Sequence, residues 1–202
     1  FAAIWVATFL LFVISPFVAS GSLGHSALQG MLPFTGILAI AAIGQTLVIQ
    51  QGGLDLSVPG IFSMGAVLVV TIPGGSEGSL IPALIVVAAV GLAGGLLNGI
   101  AVTRFGITPL VATLGSNAIF IGVVIQATGG SIAFKATKNW QEFTSDKVFG
   151  IPVLAVIALI AAILVALFIS RTIWGRRFVL VGSSPLAARA AGLSVERYQV
   201  GA

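Results

Sequence analysis

From Ala2 to Ser170 the ionisable side chains fall only in the connections between six apolar stretches. Those stretches are roughly Ala2–Ala19, Phe34–Gln51, Val58–Pro73, Leu80–Thr103, Thr108–Thr128 and Ile151–Ser170. A helix needs about 20 mainly apolar residues to cross the hydrocarbon core of a bilayer. The pattern therefore predicts an all-α, polytopic transmembrane bundle of about six spans. Water is excluded as the solvent for such a chain. Only 7% of its residues are charged and 58% are hydrophobic, whereas about a quarter of a soluble domain is charged. Folded in water, it would expose apolar patches far beyond a few hundred Å². The first stretch has no basic segment before it and no small-x-small cleavage site, so it reads as a span rather than a signal peptide.

The basic residues give a topology. Arg104 lies between the fourth and fifth stretches, and Arg171, Arg176, Arg177, Arg189 and Arg197 follow the sixth. Counted along the chain, these six share one side. Lys135, Lys138 and Lys147 share the other, beside Glu142 and Asp146. The positive-inside rule puts the arginine side in the cytoplasm. The N-terminus and everything after residue 170 are then cytoplasmic, and the loop from Gly129 to Gly150 is external. Trp140 is expected at the external interface and Trp174 at the cytoplasmic boundary. The formal charge of +4 reads as this topology signal and not as a nucleic-acid surface, because no basic cluster carries interleaved aromatics. Cysteine is absent and His25 is the single histidine. Disulfides, thiolate metal sites and a histidine-based metal centre are therefore not expected. His25 reads as an ordinary surface residue of the first external loop.

Three segments depart from plain apolar helix. The connection Gly52-Gly53-Leu54-Asp55-Leu56-Ser57-Val58-Pro59 cannot be ordinary helix, because paired Gly and a Pro interrupt it. A charge deep in a bilayer costs several kcal/mol on insertion scales. Asp55 therefore either caps the helix that starts near Ser57 at the membrane edge, or shapes a polar route through a break inside the membrane. Gln45, Gln50 and Gln51 precede it, and their amides either tie helices together or bind a neutral polyol. In the fourth stretch Gly91, Gly95 and Gly99 recur every four residues, a small-residue face that lets another helix approach closely. Asn98 lies on that seam. The fifth stretch opens on Thr108 as N-cap and Pro109 at the first helical position. Thr113, Ser116 and Asn117 then form a polar stripe, for interhelical hydrogen bonds or for the wall of a cavity. Gln45, Gln51, Asp55, Asn98 and Asn117 are the candidate solute-pathway residues.

The tail carries the third signal. Ser184 as N-cap, Pro185, the run Leu186-Ala187-Ala188-Arg189-Ala190-Ala191 and the stop at Gly192 predict a helix of fewer than ten residues over 184–192. It is too short to span and too small-sided to anchor in lipid, and it suits docking into a partner's groove. Ser184, Pro185, Ala187, Ala188, Ala191 and Gly192 are its candidate coupling residues. Ser194 is placed to cap a further helix through Val195, Glu196 and Arg197, leading towards a seventh span.

These blocks occur in an order that resembles a known family. Gly44-Gln45-Thr46-Leu47-Val48-Ile49 with Gly52-Gly53-Leu54-Asp55-Leu56-Ser57-Val58 is similar to the signature of monosaccharide-type ATP-binding-cassette importer permeases, such as the ribose, xylose and galactoside permeases. Gly95-Leu96-Leu97-Asn98-Gly99 and Ile107-Thr108-Pro109-Leu110-Val111-Ala112-Thr113-Leu114-Gly115 resemble the next block. Gly175-Arg176-Arg177-Phe178 and Ala187-Ala188-Arg189-Ala190-Ala191-Gly192-Leu193 resemble the cytoplasmic coupling block. Pro59 departs from the family, which usually has Gly there. The resemblance implies one incomplete permease domain over residues 1–202, part of a bacterial inner-membrane importer of a monosaccharide. It implies a cytoplasmic ATPase subunit, a periplasmic sugar-binding protein and a second permease subunit, identical or different, as partners. No nucleotide-binding Gly-rich loop with Lys is present, so the chain reads as a transport subunit without cofactor, metal or ATPase activity of its own. The alternatives are a permease for branched-chain amino acids or another small solute, an ion-coupled transporter using Asp55, and an intramembrane enzyme. The last has no paired carboxylates or Ser/His constellation behind it.

Overall fold

In a computed structural model, which describes residues 2–131 and 135–202, the chain is helical almost throughout. Phe1 and residues 132–134 of the expected external loop lie outside the described residues. All six apolar stretches are helices: α1 (Ala2–Val18), α2 (His25–Gln50), α3 (Val58–Thr71), α4 (Leu80–Phe105), α5 (Pro109–Thr128) and α7 (Val153–Arg171). Four of them, α2, α4, α5 and α7, are long and apolar enough to span a bilayer. A single 3-10 turn, Glu77–Ser79, leads into α4. The remaining helices are α6 (Lys138–Ser145), α8 (Ile173–Ser183), α9 (Pro185–Ala190) and α10 (Val195–Val200).

Some boundaries move from the sequence reading for physical reasons. Helix α2 begins at His25, well before Phe34, so His25 opens a helix instead of lying in a loop; its ring bonds the Gln29 amide at 2.9 Å, one turn on. The proline in the path, Pro33, is accommodated inside α2. Between α6 and α7 the chain makes a two-residue hairpin of β1 (Lys147–Val148) and β2 (Ile151–Pro152), which helix patterning alone does not foresee. Its turn residues Phe149 and Gly150 both have positive φ, 52° and 81°, the geometry that matches strand twist in a two-residue loop.

The helices pack in two groups. Helix α2 lies along α7, and α3 lies against α4 and α5. Backbone contact at glycine sets both approaches. A Cβ on Gly36 of α2 would stand 2.7 Å from the Leu154 carbonyl of α7. A Cβ on Gly60 of α3 would stand 2.9 Å from the Asn117 carbonyl of α5. Without a hydrophobic force between helices in lipid, such close approach is what dispersion needs. The glycine seam expected at Gly91, Gly95 and Gly99 is corrected in part. Within this chain Gly91 touches only Ile61, at 3.9 Å, and Gly95 has no neighbour within 4 Å. Gly99 does meet Val200 of α10 at 3.0 Å. The tight glycine of α4 is Gly94, where a Cβ would stand 2.8 Å from the Phe120 ring. The 3.6-residue period turns a four-residue repeat slowly off any fixed face, so the spacing marks a small-residue surface without saying which member is covered.

The two groups meet at one end. Helix α8 crosses the end of α2, where a Cβ on Gly182 would overlap the Gln50 carbonyl. Helix α10 returns to α4. The arginines after residue 170 and Arg104 belong to this end. At the opposite end the Lys147 ammonium donates to Gln29 at 2.5 Å and the Asn139 N–H donates to Glu77 at 3.2 Å. Helix α1 carries no buried residue and makes no extended contact with another described element.

Glycine packing gives a direct contrast. Gly60→Ala is expected to destabilise the fold by about 1–3 kcal/mol, because the new methyl overpacks against backbone. Gly95→Ala is expected to change stability by less than about 0.5 kcal/mol. Thermal unfolding of the two purified variants in detergent measures the difference, and equal losses would rule out this packing.

Candidate functional site

The broken segment between α2 and α3 is the centre of the polar structure. Residues 51–57 leave the helix ladder, so their backbone groups need partners that lipid cannot supply. Gln45, Asp55 and Thr113 supply partners to this backbone, and Gln51, Asn98 and Asn117 bond the elements around it. The Gln45 amide, in the orientation that satisfies both its ends, donates to the Asp55 carbonyl at 3.0 Å and accepts from the Asp55 N–H at 3.3 Å. Thr113 donates to the Leu54 carbonyl at 3.3 Å and to Pro109 of its own helix at 2.8 Å. The Gln51 amide donates to the Phe178 carbonyl of α8 at 2.9 Å. The Asn117 side chain accepts from the Gly60 N–H at 2.8 Å, one of the orphan donors in the first turn of α3. Pro59, just before, has no N–H to satisfy.

Asp55 makes the capping contacts that its sequence position offered. One carboxylate oxygen accepts from the Ser57 N–H at 2.8 Å and from the Ser57 hydroxyl at 2.6 Å. That Asp-to-i+2 bond is a local turn, and it caps the start of α3. Ser57 in turn accepts from the Asn98 amide of α4 at 2.9 Å. Ser57 is fully buried and Asn98 is 8% exposed. Asn98 lies two turns before the end of α4, about 10 Å into the helix at 1.5 Å per residue. The break is thus held below the helix ends, inside the bundle.

Beside it is a cavity of about 680 Å³ between the broken segment, α4, α5 and α10. Gln51, Asp55 and Asn98 reach its wall, as do Gly91, Gly95 and Gly99. Gln45 and Asn117 do not; they hold backbone instead. Among the described residues the second Asp55 oxygen and the Asn98 amide oxygen have no hydrogen-bond partner. The cavity is therefore lined by a few polar residues on a mainly apolar wall, the usual composition of a small-molecule site. Ser57 was read from sequence only as a helix start, yet it joins Asp55 to Asn98. The signal was the Asp-x-Ser spacing. The cavity floor on α10, with Arg197 and Gln199, had no sequence signature.

The tail helix is placed as its sequence reads. Ser184 accepts from the Ala187 N–H at 3.3 Å, Pro185 opens α9, and Gly192 at φ 78° ends it. One role changes. Ala188 is fully buried with Val181 and Val195, and Leu193 and Tyr198 pack on the same cluster. Ala188 therefore faces this chain's own α8 and α10 and is not available to a partner. The exposed face of α9 carries Pro185, Leu186, Ala187, Arg189 and Ala190, with Ala191 beyond. Leu186 is 79% exposed.

Residues 27–202 match the family described as branched-chain amino acid transport system / permease component. The chain belongs to this family. The probable ABC transporter permease protein y4mJ of Sinorhizobium fredii is 32% identical over 172 residues, 80% of this chain and 48% of that protein. The autoinducer 2 import system permease protein LsrC of Escherichia coli is 28% identical over 195 residues, 96% of this chain and 57% of that protein. The protein of the same name from Salmonella paratyphi B is 29% identical over 199 residues. The chain spans about half the length of these curated relatives. No solved structure matches it significantly.

The hydrogen-bond hub gives a test. Ser57→Ala leaves the buried Asn98 amide without its acceptor and Asp55 without its donor hydroxyl. A loss of about 1–3 kcal/mol is expected, read as a lowered unfolding midpoint in detergent. An unchanged midpoint would mean that the broken segment is held by other contacts.

Proposed function

We propose that this chain is the membrane-spanning part of an ATP-driven importer of a small hydroxylated solute, a monosaccharide or a molecule of similar size and chemistry. The match over residues 27–202 carries the permease reading. The solute class rests on the cavity, whose free polar atoms at Asp55 and Asn98 are acceptors suited to hydroxyl donors. The similarity to permeases of an autoinducer 2 import system agrees with small-solute import. Branched-chain amino acids remain the second reading, favoured by the family's description. The cavity wall also agrees with it, since its charged residues Asp55 and Arg197 have the opposite signs that an amino acid's ammonium and carboxylate need.

On this reading the arginine end is cytoplasmic in a bacterial inner membrane, and Lys138 and Lys147 face outwards. A periplasmic binding protein delivers the solute, a second permease subunit completes the pathway, and a separate ATPase subunit docks on α9. That contact belongs to the exposed face with Leu186, Ala190 and Ala191, while buried Ala188 fixes α9 to α8 and α10. Force on α9 then passes through α8 to the Gln51–Phe178 bond and the broken segment.

Reconstituted full-length complex, with its own ATPase and binding protein, should import one of a panel of labelled pentoses, hexoses and related polyols, and not leucine or valine. Uptake of branched-chain amino acids alone would reverse the order of the two readings. Asp55→Asn keeps an acceptor for Ser57, so assembly should persist while uptake falls about tenfold if the free oxygen serves the solute. Leu186→Asp should lower solute-stimulated ATP hydrolysis and uptake together by about tenfold, with external binding-protein affinity unchanged. Full ATP turnover in that variant would make α9 a linker.

A further inference from the structure

A second cavity lies where α7, α8 and α10 meet. Its volume is about 400 Å³. Phe168, Trp174, Phe178 and Tyr198 supply aromatic walls, and Arg177 and Arg197 supply two guanidinium groups. The Trp174 and Tyr198 rings stand 6.2 Å apart at 43°. The solute cavity and the α9 docking face leave this arrangement without a role.

Charge and depth define what it would hold. Among the described residues neither Arg177 nor Arg197 makes an ion pair or a side-chain hydrogen bond, and the nearest carboxylate in sequence, Glu196, is committed to Arg189 at 3.2 Å. Arg176 turns back towards the Arg171 carbonyl and Arg171 ends α7, so they add further positive charge nearby. The cavity is therefore a site for an anion. Guanidinium groups bind phosphate oxygens in a two-pronged geometry that suits a phosphodiester. Depth narrows the source. Helix α7 has 19 residues, about 28 Å at 1.5 Å per residue, which matches a hydrocarbon core of about 30 Å. Its last turn, with Phe168, thus reaches the headgroup level, where Trp and Tyr are favoured. Above the cavity Leu164, Leu167 and Phe168 are 60%, 47% and 53% exposed along α7. That strip offers an acyl chain a continuous apolar track leading to the two arginines.

We propose that this cavity holds the headgroup phosphate of an anionic phospholipid, with Arg177 and Arg197 on the phosphate, Trp174 and Tyr198 flanking the glycerol, and an acyl chain laid along α7. The bound lipid would fasten α10 to α7 across the joint, and so steady the floor of the solute cavity, because Arg197 sits on α10 between the two cavities.

Native mass spectrometry of the full-length permease, released from nanodiscs of equal parts phosphatidylglycerol and phosphatidylcholine, tests the assignment. Wild type should retain phosphatidylglycerol in preference to phosphatidylcholine. Arg177→Gln with Arg197→Gln should reduce that retention roughly 30-fold, Arg177→Lys with Arg197→Lys should reduce it less, and Arg104→Gln should leave it intact. Equal retention of the two lipids by wild type, or undiminished phosphatidylglycerol in the double Gln variant, would overturn the proposal. Inorganic phosphate that displaces the lipid quantitatively would show a free-phosphate site instead. A second measurement keeps the native arginines. Brominated phosphatidylglycerol should quench tryptophan fluorescence more than brominated phosphatidylcholine does, and Trp174→Phe should abolish that difference. If the difference survives in Trp174→Phe, the lipid is not at this cavity.

Discussion

The structure depends on satisfying seven residues of non-helical backbone inside a helical membrane bundle. Lipid offers no hydrogen bonds, and each unmet backbone group at depth costs several kcal/mol. A break such as residues 51–57 persists only where neighbouring helices bring side-chain donors and acceptors to it. Here α2 gives Gln45 and α5 gives Thr113 to the backbone of the break, while Asn98 of α4 bonds the Ser57 hydroxyl and Asn117 of α5 bonds the first turn of α3. These side chains also fix how the helices sit. Asn117 reaches Gly60 only because a glycine lets α3 touch α5, and Asn98 reaches Ser57 only because Gly94 lets α4 close on Ile61 and Phe120. Polar satisfaction and small-residue packing are one constraint seen from two sides.

The same segment connects the two helix groups. Its first residue bonds α8 through Gln51 and Phe178, and Gly182 of α8 rests on the last carbonyl of α2. Helix α8 in turn shares the buried cluster of Val181, Ala188 and Val195 with α9 and α10. A displacement of α9 has few ways to dissipate, since the cluster is tightly packed and packed contacts do not deform continuously. The cluster joins α9 to α10, which floors the cavity, and to α8, which bonds the broken segment. At the α2–α8 joint the side-chain oxygens of Gln50 and Gln51 are buried without a partner among the described residues. These buried acceptors lie beside the bond that crosses the joint, from the Gln51 amide to the Phe178 carbonyl.

Sequence legibility follows the range of the interaction. Apolar length, Pro and Gly punctuation and N-cap residues act over a few neighbours, and they located all six apolar helices and the start and stop of α9. Pairings between distant segments did not show. Asp55 was readable as a cap or a break, but the Ser57 hydroxyl bridging to Asn98, 41 positions on, has no local pattern. The glycine repeat of α4 shows the same limit. Its spacing marked a small-residue surface, yet within this chain the glycines in tight contact are Gly94, against Phe120 of α5 and Ile61 of α3, and Gly99, against Val200 of α10. Ala188 is the sharpest case. Its size suited a docking face, and only the cluster with Val181 and Val195 reveals that the small side chain is needed inward.

The few polar groups of this bundle are already largely committed. Most side chains that look like a polar pathway are spent on the backbone: Gln45 on Asp55, Asn117 on Gly60, Thr113 on Leu54 and Pro109. What remains unspent is half of two groups, one oxygen of Asp55 and the amide oxygen of Asn98. Both are oriented by bonds that their other atoms make to Ser57. Fixing an acceptor through a buried neighbour removes the entropy that a free side chain would lose on binding. Two such acceptors on an apolar wall discriminate more by which donors they leave unmet than by total affinity. The break in the helix therefore accounts for the polar residues inside the bundle: they serve its backbone, and Asp55 and Asn98, each with one atom left over, line the cavity beside it.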